Sequence, residues 1–393
     1  MSQLLNERWS ETKEALLEGL QGTRRASMNV CLENTRKYLA EAATAGATSA
    51  GNIATLNRVI LPVIRRVMPT VIANEIVGVQ PMTGPVAQIH TLRVRYADGV
   101  ASGDTVTAGE EALSPFKIAQ AYSGNNASNG GAAVTSALEG TPGKRMSIQI
   151  LKTPVEAKSR KLSARWTFEA AQDAQAQQGI DIEAEIMAAL AQEITAEIDQ
   201  EILTSLRSLA SVEETYDQAL VSGTATFVGD EHAALAIQIN RVSNLIAQRT
   251  RRGSANWAVV SNQALTILQS ATTSAFARTT EGTFEAPTNT KFVGTLNGAM
   301  RVYVDAYMSD TNDNNQVLLG YKGSSEADAA AFYCPYIPLM SSGVVLDPAT
   351  FEPVVGFLTR YGYVELTNTA SSLGNAADYL GKVAITSANV SFK

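Results

Sequence analysis

The stretch "DIEAEIMAALAQEITAEIDQEILTSLRSLA", residues 181–210, decides how the rest of the chain is read. It contains neither Gly nor Pro, and Ile186, Leu190, Ile194, Ile198 and Ile202 recur every four residues. That spacing keeps one helix face apolar throughout. Asp181, just after Gly179 and Ile180, is the candidate N-cap. At 1.5 Å per residue the helix is roughly 45 Å long, which is long for a globular domain and suits a spine. Glu183, Glu185, Glu193, Glu197 and Glu201 lie on it at helical spacing. They read as a solvated or intersubunit face and not as catalytic carboxylates.

Outward from this helix the chain changes character. All 12 prolines fall at 62–154 or 287–353, so none interrupts the block around the helix. Upstream, "TLRVRYA" at 91–97 alternates strictly, with Leu92, Val94 and Tyr96 on one face and Arg93 and Arg95 on the other. A second alternating stretch, "MSIQILKTPVEAK", follows at 146–158. Between them lie about fifty residues poor in large apolar side chains, ending in the Gly/Ser/Asn-rich "SGNNASNGGAAVTSALEGTPG". Two strands out and back make a ribbon. A ribbon of two strands is marginal by itself in water and exposes pairing edges. Its simplest resting place is another molecule, with Arg93, Arg95, Lys144, Arg145, Glu193 and Glu197 as candidate intersubunit contacts.

Residues 1–50 are expected to be helical, from Leu5, Trp9, Leu16 and Leu20, and "TAGATSAGN" at 44–52 reads as a linker. The first fifty residues are therefore expected to be an arm outside the main core. "ANEIVGVQPMTGP", residues 73–85, joins this arm to the ribbon. Pro81 and Pro85 fix φ while Gly78 and Gly84 permit tight bends, which suggests a pivot. Downstream, "HAALAIQINRVSNLIAQR" is an amphipathic helix, and "WAVVSN", "MRVYVDAY" and "QVLLGYK" are strand-like. "EPVVGFLTRYGYVEL" and "KVAITSANVSFK" alternate and should close a sheet. Strands and helices in separate runs give an α+β class.

Chemistry-bearing motifs are scarce. His90 and His232 are the only histidines, and neither pairs in sequence with a Ser or Cys nucleophile. Cys31 and Cys334 have no metal-type spacing and read as buried thiols. "GTPGKR" at 140–145 lacks the first Gly of a phosphate loop, since Leu138 stands there, and carries Arg145 in place of Ser/Thr. Asp310, Asn312 and Asn314 start like a calcium loop, but Asn315 and Tyr321 occupy its Gly and Glu positions. No cofactor, metal or catalytic residue is assigned, and the chain is not read as an enzyme. No apolar run approaches the ~18 residues of a membrane span, and the Glu-containing N-terminus does not read as a secretory signal. A cytoplasm-like compartment is expected. Residues 1–70 carry nine Lys/Arg against six Asp/Glu, and the remainder 22 against 32. An acidic body is the reverse of a nucleic-acid grip, so no tight or specific DNA binding is expected.

Three blocks resemble the major capsid proteins of T-even-type tailed bacteriophages. They are "LPVIRRVMPTVIANEIVGVQPMTGPVAQIHTLRVRY", "KSRKLSARWTFEAAQDAQAQQGIDIEAEIMAALAQEITAEIDQEIL", and "GAMRVYVDAY" with "VLLGYKGSSEADAAAFYCPYIPLM" and "DPATFEPVVGFLTRYG". They are collinear and cover most of residues 55–365. The resemblance implies an HK97-like phage capsid fold. Mapped onto this chain, it implies an N-terminal arm at 1–60 and an extended loop at 88–158. A peripheral domain would be made from 61–87, 159–225 and 345–393, with a spine helix at about 181–209. An axial domain would occupy 226–344.

The implied function is self-assembly into hexameric, and also pentameric, capsomers of an icosahedral shell around double-stranded DNA. Assembly would take place in the bacterial cytoplasm, with a vertex or portal protein, a scaffold and a decoration protein as partners. A pentamer-forming vertex protein and a nanocompartment shell protein are the alternatives. The family's separate insertion domain finds too little chain between the two ribbon strands and is expected to be absent or vestigial. The family's protease pattern is met before Ala42, at Leu39-Ala40-Glu41, and before Gly19, at Leu16-Leu17-Glu18. Glu41 and Ala42, or alternatively Glu18 and Gly19, are thus the candidate processing sites, and the arm is expected to stay uncleaved.

Overall fold

The structure is a computed structural model. It describes residues 9, 13, 14, 17, 22, 25–34, 72–99, 108, 109, 112, 122, 123, 132–140, 143–178, 181–218, 228–250, 252–271, 276–278, 290–305, 307, 308, 315–326, 328–350, 352–366 and 376–386. Among these, residues 25–34 (α1) are helical. Six further helices follow: α2 (Ala73–Ile76), α3 (Thr135–Leu138), α4 (Phe168–Gln178), α5 (Ile182–Leu209), α6 (Val228–Thr250) and α7 (Asn262–Ser270).

Helix α5 is the spine of the molecule. The Asp181 side chain accepts from the backbone N–H groups of Glu183 at 3.1 Å and Ala184 at 3.5 Å, which satisfies two orphan donors of the first turn. Glu183 and Glu185 at its start and Arg207 near its end complement the helix dipole. Leu190, Ile194, Ile198, Ile202 and Leu206 are buried along one stripe, while Ile186 is half-buried. The buried Thr195 hydroxyl donates to the Ala191 carbonyl at 2.8 Å.

Two sheets flank this helix. The first has the order β1-β11-β12-β4, from Gly78–Val79, Ala331–Leu346, Pro353–Glu365 and Lys158–Arg165. In β12 every second residue from Pro353 to Tyr361 is buried, the alternation expected of a sheet with one covered face. The long β11–β12 hairpin shifts register three times, between Pro335/Ile337, Ile337/Met340 and Ser341/Val344.

The second sheet has the order β5-β13-β10-β6-β9-β8-β7. Its strands are β5 (Val212–Tyr216), β6 (Trp257–Val260), β7 (Phe276–Arg278), β8 (Thr290–Leu296), β9 (Met300–Asp305), β10 (Gln316–Gly320) and β13 (Leu380–Ile385). It is covered on both sides. Trp257 and Val259 join the core around α5, whereas Ala258 and Val260 join a second core with α6 and α7. This explains why "WAVV" and "QVLLG" read as unbroken apolar runs.

A third unit is the antiparallel pair β2 (Val86–Tyr96) and β3 (Met146–Glu156), in register from Val86↔Glu156 to Tyr96↔Met146. Only Ala157 separates β3 from β4, and its N–H donates to the Pro85 carbonyl at 2.9 Å.

The α+β class is the class observed, but the sheets cut the chain differently from the expected ranges. Strand β11 crosses the expected boundary at 344/345 and lies wholly in the four-stranded sheet. Strands β5 and β13 belong to the seven-stranded sheet and not with β12. Leu380 faces the α5 core and Val383 and Ile385 the α6–α7 core, so β13 needs cover on both faces, which the seven-stranded sheet provides. The arm also departs from expectation. Leu17, Met28, Cys31 and Leu32 are buried in the main core, because their apolar stripe packs on the body.

Candidate functional site

The junction 72–85 and the ribbon it feeds carry most of the sequence-predicted site residues. The junction is bonded on every side. The Ile72 N–H donates to Asp199 Oδ1 of α5 at 2.9 Å. Lys322 Nζ donates to the Asn74 carbonyl at 2.9 Å, and Arg301 pairs with Glu75 at 2.9 Å. The Val79 N–H donates to Glu326 Oε2 at 2.9 Å, and Lys322 holds that same carboxylate at 3.2 Å. Gly78 and Val79 pair in parallel with Phe332 and Tyr333. Gln80 and Met82 extend this contact by donating to the Tyr333 and Pro335 carbonyls, each at 3.0 Å.

These bonds make 72–82 an anchored splice between α5 and both sheets, where the sequence suggested a pivot. Gly78 and Gly84 also differ from the expected bend-formers, since neither has a positive φ. Gly78 is required for close approach. A Cβ there would meet the Glu326 carbonyl oxygen at 2.3 Å and the Phe332 ring at 2.9 Å. At Gly84 the nearest atom to a Cβ is the Val86 carbonyl oxygen at 3.8 Å, so a side chain fits. Pro81 is half-buried and Pro85 is exposed.

Asp199 is 1% exposed, and burial pushes its carboxyl up to about 7 despite the Ile72 N–H bond, with Asp305 adding in the same direction. Asp305 is itself bonded to Arg207 and accepts from Gln200 Nε2 at 2.8 Å, which ties α5 to the seven-stranded sheet. On the other side of α5, Arg160 of β4 reaches Glu197 at 2.6 Å, Glu201 at 2.5 Å and the Tyr361 hydroxyl at 2.6 Å. Glu197, a candidate intersubunit residue, is therefore bonded within its own subunit, while Glu193 is exposed.

The ribbon changes its apolar face along its length. Near the body, Ala87, Ile89 and Val155 pack with Met82, Phe332 and Cys334. Further out the apolar residues lie on the opposite face, where Leu92, Ile148 and Ile150 are 66%, 68% and 61% exposed and Met146 is also exposed. Arg95 is half-buried on the other face, and its Nε has no partner among the described residues. Arg93 lies in β2 opposite Gln149, and its side chain is outside the described set.

At the outer end the Tyr96 and Tyr122 rings meet in a tilted contact, centroids 4.4 Å apart, and form a small cluster with Ala112 and Val94. Lys144 donates to the Gly99 carbonyl at 2.6 Å, and Arg145 binds Asp98 through its backbone N–H at 2.8 Å and its guanidinium at 3.3 Å. Those bonds hold the Asp98 carboxyl below its ordinary range. Lys144 and Arg145 thus have partners in their own chain, and the connection between the ribbon strands has a packed element where only loop was expected.

His232 is buried and its Nδ1 lies 2.6 Å from Ser270 Oγ, while His90 is exposed midway along β2. Among the described residues no metal-type cluster occurs, and no helix is long and apolar enough to cross a membrane. The candidate processing residues Glu18, Gly19, Glu41 and Ala42 lie outside the described residues.

The sequence comparison defines the class, that of structural proteins of phage heads: the family described as Major capsid protein Gp23 matches residues 53–385. The chain belongs to the Gp23 major capsid protein family. It is 29% identical to the major capsid protein of Vibrio phage KVP40, over 90% of this chain and 85% of that one. It is also 29% identical to the major capsid protein of Enterobacteria phage T4, over 83% of this chain and 78% of that one. A similar solved structure is the asymmetric unit of the bacteriophage PhiM1 mature capsid, with 13% identity, 79% of this chain and 85% of that chain covered, and a TM-score of 0.46.

Proposed function

We propose that copies of this chain assemble as hexameric capsomers into the icosahedral head shell of a T-even-type tailed phage, enclosing double-stranded DNA. The ribbon is the extended loop of an HK97-like subunit. The four-stranded sheet with α5 forms the peripheral domain, and the seven-stranded sheet with α6 and α7 the axial domain. The observation that carries this reading is the outer half of the ribbon. It presents Leu92, Ile148 and Ile150 to solvent on a two-stranded unit that pairs with no third strand among the described residues. Such a surface is costly for a solitary subunit and favourable once a neighbouring copy covers it. The docking face is therefore the apolar one and not the face on which Arg95 is half-buried. The acidic body fits a container whose DNA must move, since a basic wall would hold it through counterion release. Vertex, portal, scaffold and decoration proteins are the further partners of this reading.

Electron microscopy of the expressed protein is the direct test. The wild type should form closed shells. Ile148→Asp together with Ile150→Asp should give folded, soluble subunits without shells. Shells of normal yield from that variant would refute the role given to this face.

A further inference from the structure

Two glycines of β12 contrast. A Cβ on Gly362 would meet Val155 Cγ1 at 2.4 Å, so the fold needs the glycine. A Cβ on Gly356 would meet nothing closer than Ser342 Oγ at 3.5 Å, an ordinary contact, and Gly356 has no positive φ. Glycine inside a strand weakens it and often marks a place that another group approaches. Val355 and Phe357 face the core around α5, so Gly356 and Leu358 face the other way. Leu162 and Ala164 pack on that same core, which turns Lys161 and Ser163 outward. There β11 shifts register between Ser341 and Val344, and the Gly356 N–H donates to Ser342 Oγ at 2.9 Å. The result is a hollow of about 390 Å³ lined by Lys161, Ser163, Met340, Ser342, Gly356 and Leu358. Lys161, Ser163 and Ser342 are exposed, so the hollow opens to solvent. Lys161 has no ion pair among the described residues.

Helix α4 is the converse case. None of its described residues is buried, and Phe168 is 46% exposed. Eleven residues fall short of the roughly 12–15 at which an isolated helix becomes even marginal in water. Glu169 and Asp173, four apart on one stripe, are exposed and have no cation among the described residues. Charge decides which apolar residue suits the hollow. Ile148 and Ile150 of the ribbon share their face with Lys152, which would bring like charge to Lys161 and Arg165. Phe168 brings carboxylates instead. We propose that Phe168 of a second copy fills the hollow at Gly356, with Glu169 of that copy paired to Lys161. The contact deepens the head-shell reading, and it rests on copies meeting as that reading requires.

Carbodiimide joins a carboxylate to an amine only where the two touch. Unlabelled and nitrogen-15-labelled full chains, mixed, associated and treated with it, should yield a Lys161–Glu169 peptide pair with one label of each kind. Gly356→Leu fills the hollow and should lower that mixed link roughly tenfold, with a urea midpoint no lower than wild type's. Lys161→Glu and Glu169→Lys change only exposed charges. Each should raise the concentration needed for association roughly tenfold, and the two together should restore it. A wild-type yield of the link in Gly356→Leu, or no recovery in the double variant, would overturn the proposal. Electron micrographs of the same samples keep the readings apart. Closed shells without the mixed link overturn the socket and leave the head-shell reading standing. The mixed link in small oligomers that never close sinks the head-shell reading alone. Monomers at every concentration overturn both.

Discussion

Gly78 offers a sharp test because the carbonyl of Glu326 leaves no room beside it for a methyl group. A Cβ at 2.3 Å from that oxygen and 2.9 Å from the Phe332 ring must push β1 off β11. Overpacking of this kind costs about 1–3 kcal/mol. The displacement also weakens the Val79 N–H bond to the Glu326 carboxylate, a charge-assisted contact of about 1.5–3 kcal/mol when intact. Replacing Gly by Ala stiffens the unfolded chain and returns about 0.4–1 kcal/mol. Gly78→Ala should therefore lose roughly 2–3 kcal/mol, a factor of about 30–150 in the folded-to-unfolded ratio. Gly84→Ala, with its nearest atom at 3.8 Å, should be neutral or slightly stabilising. Urea unfolding of soluble subunits, followed by tryptophan fluorescence, compares the two midpoints. Equal midpoints, or a larger loss at Gly84, would refute the close-approach argument.

Two further outcomes follow from charged groups. Arg160→Ala should cost about 1–2 kcal/mol near neutral pH, less in high salt, since Glu197, Glu201 and the Tyr361 hydroxyl lose their shared donor. Burial raises the Glu201 carboxyl, but Arg160 and Tyr361 outweigh it and hold the group below its ordinary value. Its contribution is present above the unfolded pKa and lost as pH falls through the folded one, so variant and wild type should converge in acid urea titrations. Asp199 behaves oppositely. Raised from 3.8 to about 7, it binds a proton in the folded state that the unfolded chain releases, so stability falls as pH rises from about 4 to 7. Asp199→Asn keeps an acceptor for the Ile72 N–H and should be more stable than wild type at pH 8. Unfolding midpoints at pH 5 and pH 8 check this, and an unchanged pH slope would refute it.

Legibility in the sequence followed locality. The long helix was readable because its cap, its four-residue period and its lack of breakers lie within one stretch, and Asp181 does cap it. The ribbon strands were readable because alternation is a local pattern, and their pairing runs without a slip. What escaped depends on contacts between distant residues. The parallel match of Gly78 with Phe332 spans most of the chain, and nothing near Gly78 announces it. The amphipathic α1 gives the same signal whether its stripe meets the core or another molecule, and the small-residue linker at 44–52 suggested the wrong choice. Along the ribbon, alternating Arg and apolar residues do not say which face is left open. That depends on where Met82 and Phe332 cover the opposite side. Glu197 looked available because its partner Arg160 sits on another element.

The single residue between β3 and β4 has a mechanical consequence. From Met146 to Arg165 the chain is nearly one unbroken beam, whose outer half is ribbon and whose inner half is the edge of the four-stranded sheet. At about 3.3 Å per residue this is a lever of roughly 65 Å. Its short arm is gripped by β12 along eight residue pairs and by the long helix through Arg160. A load at the ribbon's outer end cannot be absorbed by a hinge at its root. It becomes torque on the sheet edge and then on the spine, so what bends the ribbon also strains the body.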